Sequence, residues 1–300
     1  LAMYHYAMLL KESSQYPQNR PDVLHYLQEA CKYNLPIAFQ ELGLLLLENH
    51  DYDDATILEN KKFALKYFEK GASYGLIESQ FQLGLLVLEL EGDDVKGGKL
   101  IEGCAQKKHP LALYYLSLML EEGRGMDKDV ERARECLELS AELNVAFSQH
   151  RLGMKLYSEK KIPQSIKYLR KASEQDHVPA MLDLVKVLEE NNGTEEEILK
   201  WLYRASELNS AEASCKAGLI MMKHDKYYDA FNLFKKSAKG RYVDGMYWYA
   251  RFLDEGKGTV PDQETAAEYY TYAVDGGNIP ALYYLGRLYE LGLGVAQDFN

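Results

Sequence analysis

No run of about 18 apolar residues occurs in this chain, so no membrane-crossing helix is written into it. Its first residues show no charged, apolar and small-residue leader, and a signal peptide, had there been one, lies outside them. Cysteine is scarce: Cys31, Cys104, Cys136 and Cys215 stand far apart, without a CxxC pair. That excludes a zinc-ribbon or thioredoxin-type motif and favours a reducing compartment. The expected location is therefore cytoplasmic, with the ER lumen or secretion as the alternative if a leader was removed. A basic excess is missing as well. The formal net charge is −11, with Asp and Glu spread among Lys and Arg, so nucleic acid is not the expected partner. HExxH, a P-loop lysine motif and GxSxG are all absent. Metal sites need clustered donors, and His5, His25, His50, His109, His150, His177 and His224 are scattered. We expect no catalytic residue, no cofactor and no metal site. Pro-, Gly- or Ser-rich linkers are absent too, so residues 1–300 are read as a single domain despite their length.

What the chain has instead is a repeat. A small residue returns at Ala2, Ala38, Ser79, Ala112, Ser148, Ala180, Ala213, Gly245 and Ala281, at intervals of 32 to 41 residues. Five residues later a second small residue follows, as in Gly43, Gly84, Gly153, Gly218 and Gly286, with Val185 the large exception. Small residues five apart let a neighbouring helix approach closely. A further alanine stands seven or eight residues before each marker from Ala38 onward, and it closes a second recurring text: YFEKGA at 67–72, YLRKAS at 168–173, LFKKSA at 233–238. Tyr67, Phe68, Gly71 and Ala72 share one stripe of a helix with 3.6 residues per turn, as do Ala281, Leu282, Leu285, Gly286 and Tyr289. Each unit is thus two amphipathic helices, neither stable alone in water.

Three units join their helices through glycine pairs: Gly123 and Gly125, Gly256 and Gly258, Gly292 and Gly294, each followed by an aspartate, Asp129, Asp262 or Asp298. Glycine past a helix end takes the left-handed conformation, and the aspartate caps the next helix. A phosphate-cradling role would need a strand before the pair, and a helix precedes each one. Asn60 and Asp94 are expected to cap where the glycine pair is missing. Pro36, Pro110, Pro179 and Pro280 fall where first helical turns are expected, a position that tolerates proline. The run Glu195, Glu196, Glu197 after Thr194 reads as an acidic first helical turn. Asn192, Gly193 and Thr194 form one glycosylation acceptor in a predicted loop.

These residues resemble the Sel1-like repeat family, with Ala281, Leu285, Gly286, Tyr289, Gly292, Gly294, Val295 and Asp298 as the best-matching unit. Ala38, Gly43 and Ala112 carry the same marks. The units at Ser148, Ala180 and Ala213, whose glycine loop is shortened, look more like the related tetratricopeptide repeat. The resemblance implies an all-α, right-handed α-solenoid of about nine helix-turn-helix units. Leu1 opens in mid-pattern and Asn300 stops before a second helix, so a fragment of a longer protein is expected.

The resemblance further implies a protein-protein interaction scaffold or adaptor, not an enzyme. The alternatives are the regulatory repeat region of a larger enzyme, such as a kinase, or a luminal adaptor of ER-associated degradation. Counted from each marker, offsets 3 and 6 point away from the packed stripe and are the candidate concave surface. Offset 6 is apolar in the early units, as in Leu118 beside Tyr115, and basic at the end, in Arg251 and Arg287, where offset 3 supplies Trp248 and Tyr284. Aromatic and arginine neighbours are frequent interface hot spots, so a protein or peptide partner bearing acidic residues is expected there. The competing reading is that a tightly wound solenoid buries offset 6 between its own helices.

Overall fold

The computed structural model describes residues 1–13, 15–16, 18–48 and 53–297. His50 and Asp298 lie outside the described residues. Regular structure among those described is helical throughout, and the helices come in pairs. In the first unit, Leu1–Ser148, the pairs are α1 (Ala2–Glu12) with α2 (Arg20–Lys32), α3 (Pro36–Leu47) with α4 (Asp54–Ser73), α5 (Ile77–Leu86) with α6 (Asp94–Gln106), and α7 (Pro110–Glu122) with α8 (Val130–Glu142). A π-helical turn, Val87–Glu91, extends α5. The second unit, Gln149–Asn300, takes in α9 (Ala146–Ser158) from Gln149 onward, α10 (Ile162–Ser173), α11 (Val178–Glu190), α12 (Glu195–Glu207), α13 (Ala211–Lys223), α14 (Tyr227–Lys239), α15 (Val243–Glu255), α16 (Gln263–Asp275) and α17 (Ile279–Leu291). This is the helix-pair solenoid architecture that the repeat spacing requires.

Within each unit, two rows of small residues hold each pair to the next. The markers from Ala38 to Ala281 are buried, and eight residues before each stands another buried small residue: Ala30, Gly71, Cys104, Ser140, Ala172, Ala205, Ser237 and Ala273. The rows touch across the connection. A Cβ added at Gly71 would lie 2.3 Å from Ser79 Oγ, and one at Gly245 would lie 2.0 Å from Ser237 Oγ. Where both rows carry serine, Ser140 and Ser148, the hydroxyls are 2.6 Å apart and share a hydrogen bond. This connection always turns through a left-handed residue four positions before the marker: Asn34, Gly75, Lys108, Asn144, Asp176, Asn209, Arg241 and Gly277. Asn, Asp and Gly tolerate that conformation, whereas Lys108 and Arg241 hold it at a cost.

The glycine at offset 5 faces the second helix of its own pair. A Cβ on Gly43 would come within 2.7 Å of the Phe68 ring, and one on Gly218 within 2.7 Å of Phe234. At Gly286 a Cβ would meet nothing within 4 Å, so the close packing expected there is not formed among the described residues. No described helix follows α17 to fill the space.

The longer connections behave as their glycines predict. Gly123, Gly256 and Gly292 end their helices in the left-handed conformation, and Gly125, Gly258 and Gly294 share it. Asp129 caps α8 by accepting from the Arg132 amide, and Asp262 caps α16 through the Thr265 amide. Thr194 likewise caps α12, whose first turn holds Glu195, Glu196 and Glu197. Two expected caps move. The helix expected after Asn60 begins at Asp54, with Asp53 accepting from Thr56, and Asp93 caps α6 where Asp94 was expected. In both, an aspartate earlier in the chain than the expected cap, Asp53 well before Asn60 and Asp93 directly beside Asp94, accepts from the amide three residues on. The shortened loops are tight turns of three or four residues, at 159–161, 191–194 and 224–226.

Candidate interaction surface

Offsets 3 and 6 come to lie on one stripe of each first helix, and most of their side chains are half-buried. The neighbouring helices cover their stems and leave the outer atoms open.

In the first unit, Tyr115 packs its ring 5.7 Å from Phe81 and 5.5 Å from Tyr114. With Leu85, Leu88, Leu118 and Met119 it lines a cleft of about 450 Å³, rimmed by Glu89, Glu122 and Arg124. Tyr115 and Leu118, expected on this face, are thus brought together. Along the same stripe, Met8, Leu44, Leu85 and Leu118 give the row its apolar character, and four residues further stand Glu12, Glu48, Glu89 and Glu122. That glutamate row was missed because offset 10 is where the first helix ends, and acidic residues there read as ordinary solvent-facing positions.

In the second unit, Trp248 stacks on Phe234 at 5.8 Å, and Tyr284 stacks on Tyr270 at 5.8 Å. Between them, the Arg251 guanidinium lies 4.2 Å from the centre of the Tyr284 ring, donates to the Tyr284 hydroxyl at 2.7 Å and to Tyr247 at 3.1 Å, and pairs with Glu255 at 2.8 Å. Burial opposes its charge, but Glu255 and Tyr247 outweigh that and hold the guanidinium above its ordinary range. Arg287 forms an ion pair with Asp254, whose side chain is 3% exposed. Trp248, Arg251, Tyr284 and Arg287 therefore do meet, as one aromatic and guanidinium cluster. What differs from the sequence reading is its charge. Both arginines are neutralised by carboxylates at offsets 9 and 10 of the repeat, so the open cationic end expected from the sequence is not present.

A further polar chain links consecutive pairs of the second unit. His150 Nε2 lies 2.6 Å from Asp183, and His177 Nε2 lies 3.3 Å from His150 Nδ1. Burial, with His150 adding to it, pushes the His177 imidazole below its ordinary value. Charge is unevenly divided along the chain. Residues 1–148 hold 24 Asp and Glu against 15 Lys and Arg, whereas residues 149–300 hold 22 against 20.

Stacked helix pairs with a regular, partly open side-chain face define an α-helical repeat protein of the protein-interaction type. The chain belongs to the Sel1 repeat family: the family model matches residues 42–75, 110–145, 146–177, 243–278 and 279–300. Among solved structures, a protective antigen of uropathogenic Escherichia coli with an SLR fold is similar at TM-score 0.65 and 22% identity, over 99% of this chain and 73% of that one. A Sel1 repeat protein of Oxalobacter formigenes is similar at TM-score 0.59 and 21% identity, over 73% and 92%. Chitin synthase regulatory factor 3 of Schizosaccharomyces pombe is 24% identical over 242 residues, 71% of this chain. The chain spans about a quarter of that relative's length.

Proposed function

We propose that this chain is a protein-binding scaffold that holds partner segments on the exposed stripe of its first helices. The observation that carries the reading is the half-buried state of large apolar and aromatic side chains at offsets 3 and 6, among them Leu44, Leu85, Tyr115, Leu118, Trp248 and Tyr284. The solenoid covers these side chains only in part, and partly open apolar surface of this kind marks interaction sites. A photo-crosslinking residue at Tyr115 or Tyr284, compared with one at Phe63 or Tyr228 on the second helices, tests it in the cells that make the protein. Protein adducts are expected at the first two positions. Equal labelling at all four, or labelling only at Phe63 and Tyr228, refutes it.

A second reading is favoured by the match to a regulatory factor four times longer than the matched region. In it, the repeats are the docking region of a larger regulatory protein that acts on an enzyme. The same adducts decide between the two: a single enzyme recovered at both Tyr115 and Tyr284 supports the regulatory reading, and a set of non-enzymatic partners supports the adaptor. We place the chain in the cytoplasm, and Asn192 offers the check, because a glycan at this acceptor, removable by endoglycosidase, would locate it in the secretory pathway instead.

A further inference from the structure

We infer that the first unit's cleft takes a basic amphipathic helix from the partner, with an apolar anchor in the cleft and Lys or Arg one turn away. The inference rests on the scaffold reading above and adds the chemistry of the partner to it.

The floor of the cleft is apolar: Leu85, Leu88, Tyr115, Leu118 and Met119. Its volume of about 450 Å³ exceeds that of a single side chain, so it admits two anchors spaced as on one face of a helix. The rim decides the sign. Arg124 is already held by Asp94 at 2.7 Å, and Glu89 is met by Lys61 at 2.5 Å. Glu122 is exposed and makes no ion pair or hydrogen bond among the described residues, which leaves one negative charge unmatched at the edge. Glu122 belongs to the offset-10 glutamate row, in which Glu48 is met by Lys11 at 3.2 Å as Glu89 is by Lys61, and the unit as a whole carries 24 acidic against 15 basic residues. Complementary charge steers a partner to a surface and fixes its register once there. A segment with apolar residues at i and i+3 or i+4 and a cation beside them satisfies both floor and rim. The acidic segment expected from Arg251 and Arg287 would be repelled here.

The test uses the 300-residue chain and two fluorescent peptides of one apolar pattern, one built of Leu and Lys, the other of Leu and Glu, each titrated by anisotropy at about 0.15 M salt to screen long-range attraction. We expect the Leu/Lys peptide to bind at least about tenfold more tightly than the Leu/Glu peptide. Leu118→Ser is expected to weaken that binding about tenfold by removing an anchor contact, and Glu122→Lys about fivefold. Glu122 is exposed and unpaired, so Glu122→Lys keeps the test valid even if Leu118→Ser unfolds. Equal affinity for the two peptides overturns the inference. So does Leu/Lys binding that ignores both substitutions, which would be diffuse attraction to an acidic surface. Adducts at Tyr115 together with no peptide binding would leave the scaffold standing and remove the basic partner. Loss of both would remove the scaffold as well.

Discussion

The same substitution at the same place in two repeats should have opposite effects. At Gly218, an added Cβ would stand 2.7 Å from the Phe234 ring, and contact becomes ordinary only beyond 3.4 Å, so the ring must yield by about 0.7 Å. It has little room. Phe234 is fully buried and lies between Trp248, 5.8 Å away, and Phe252, 5.0 Å away. Overpacking of this kind costs about 1–3 kcal/mol, while alanine's helix propensity returns about 1 kcal/mol, so Gly218→Ala should destabilise by up to about 2 kcal/mol. Gly286 is exposed and its Cβ would meet nothing, so only the propensity remains and Gly286→Ala should stabilise by about 0.5–1 kcal/mol. Both positions, and both tryptophans, Trp201 and Trp248, lie in the second unit. Urea unfolding followed by tryptophan fluorescence reports on that unit for both variants. Shifts in the same direction, or stabilisation by Gly218→Ala, would refute the pairing of offset 5 with the second helix.

Lys108→Gly and Arg241→Gly should each stabilise by about 0.5–1 kcal/mol, since both residues sit at positive φ in the connecting turn; a lowered unfolding midpoint in either would contradict this. His177, whose folded-state value is depressed, takes up its proton more readily when unfolded, so stability should fall as pH drops through about 6.5 and recover above it. His177→Gln should flatten that dependence between pH 7.5 and 5.5, and an unchanged slope would remove the histidine pair from the account. Arg287→Glu should destabilise the second unit by about 2–3 kcal/mol because it leaves the Asp254 carboxylate buried beside a like charge. Unaltered melting of that variant would show that the ion pair is dispensable.

The helix pairs, the glycine stops and the aspartate starts were legible because each is a local signal repeated at a fixed interval. Ala38, Ser79 and Ala112 announce the repeat through their small size, and Asp129 and Asp262 announce helix starts through cap chemistry. The left-handed turn was not legible at Lys108 and Arg241, because neither residue type carries a preference for it and the conformation is imposed by the small-on-small contact that follows. Tyr115 with Leu118, and Trp248 with Tyr284, could be placed on one face from spacing alone. The neutralisation of Arg287 could not, since Asp254 lies 33 residues away on a neighbouring first helix, a distance that only stacking closes. Gly286 shows the reverse limit: the repeat position was right, but the close approach depends on a helix that the described residues do not contain.

The most direct measurement is covalent footprinting of the unaltered chain alone and in its non-covalent complex with the partner that the crosslinking identifies. The scaffold account predicts protection of Tyr115, Leu118 and the Leu85 region, with Phe63 on the second helix still labelled. Protection confined to the second helices, with Tyr115 and Leu118 as reactive as in the free chain, would contradict it.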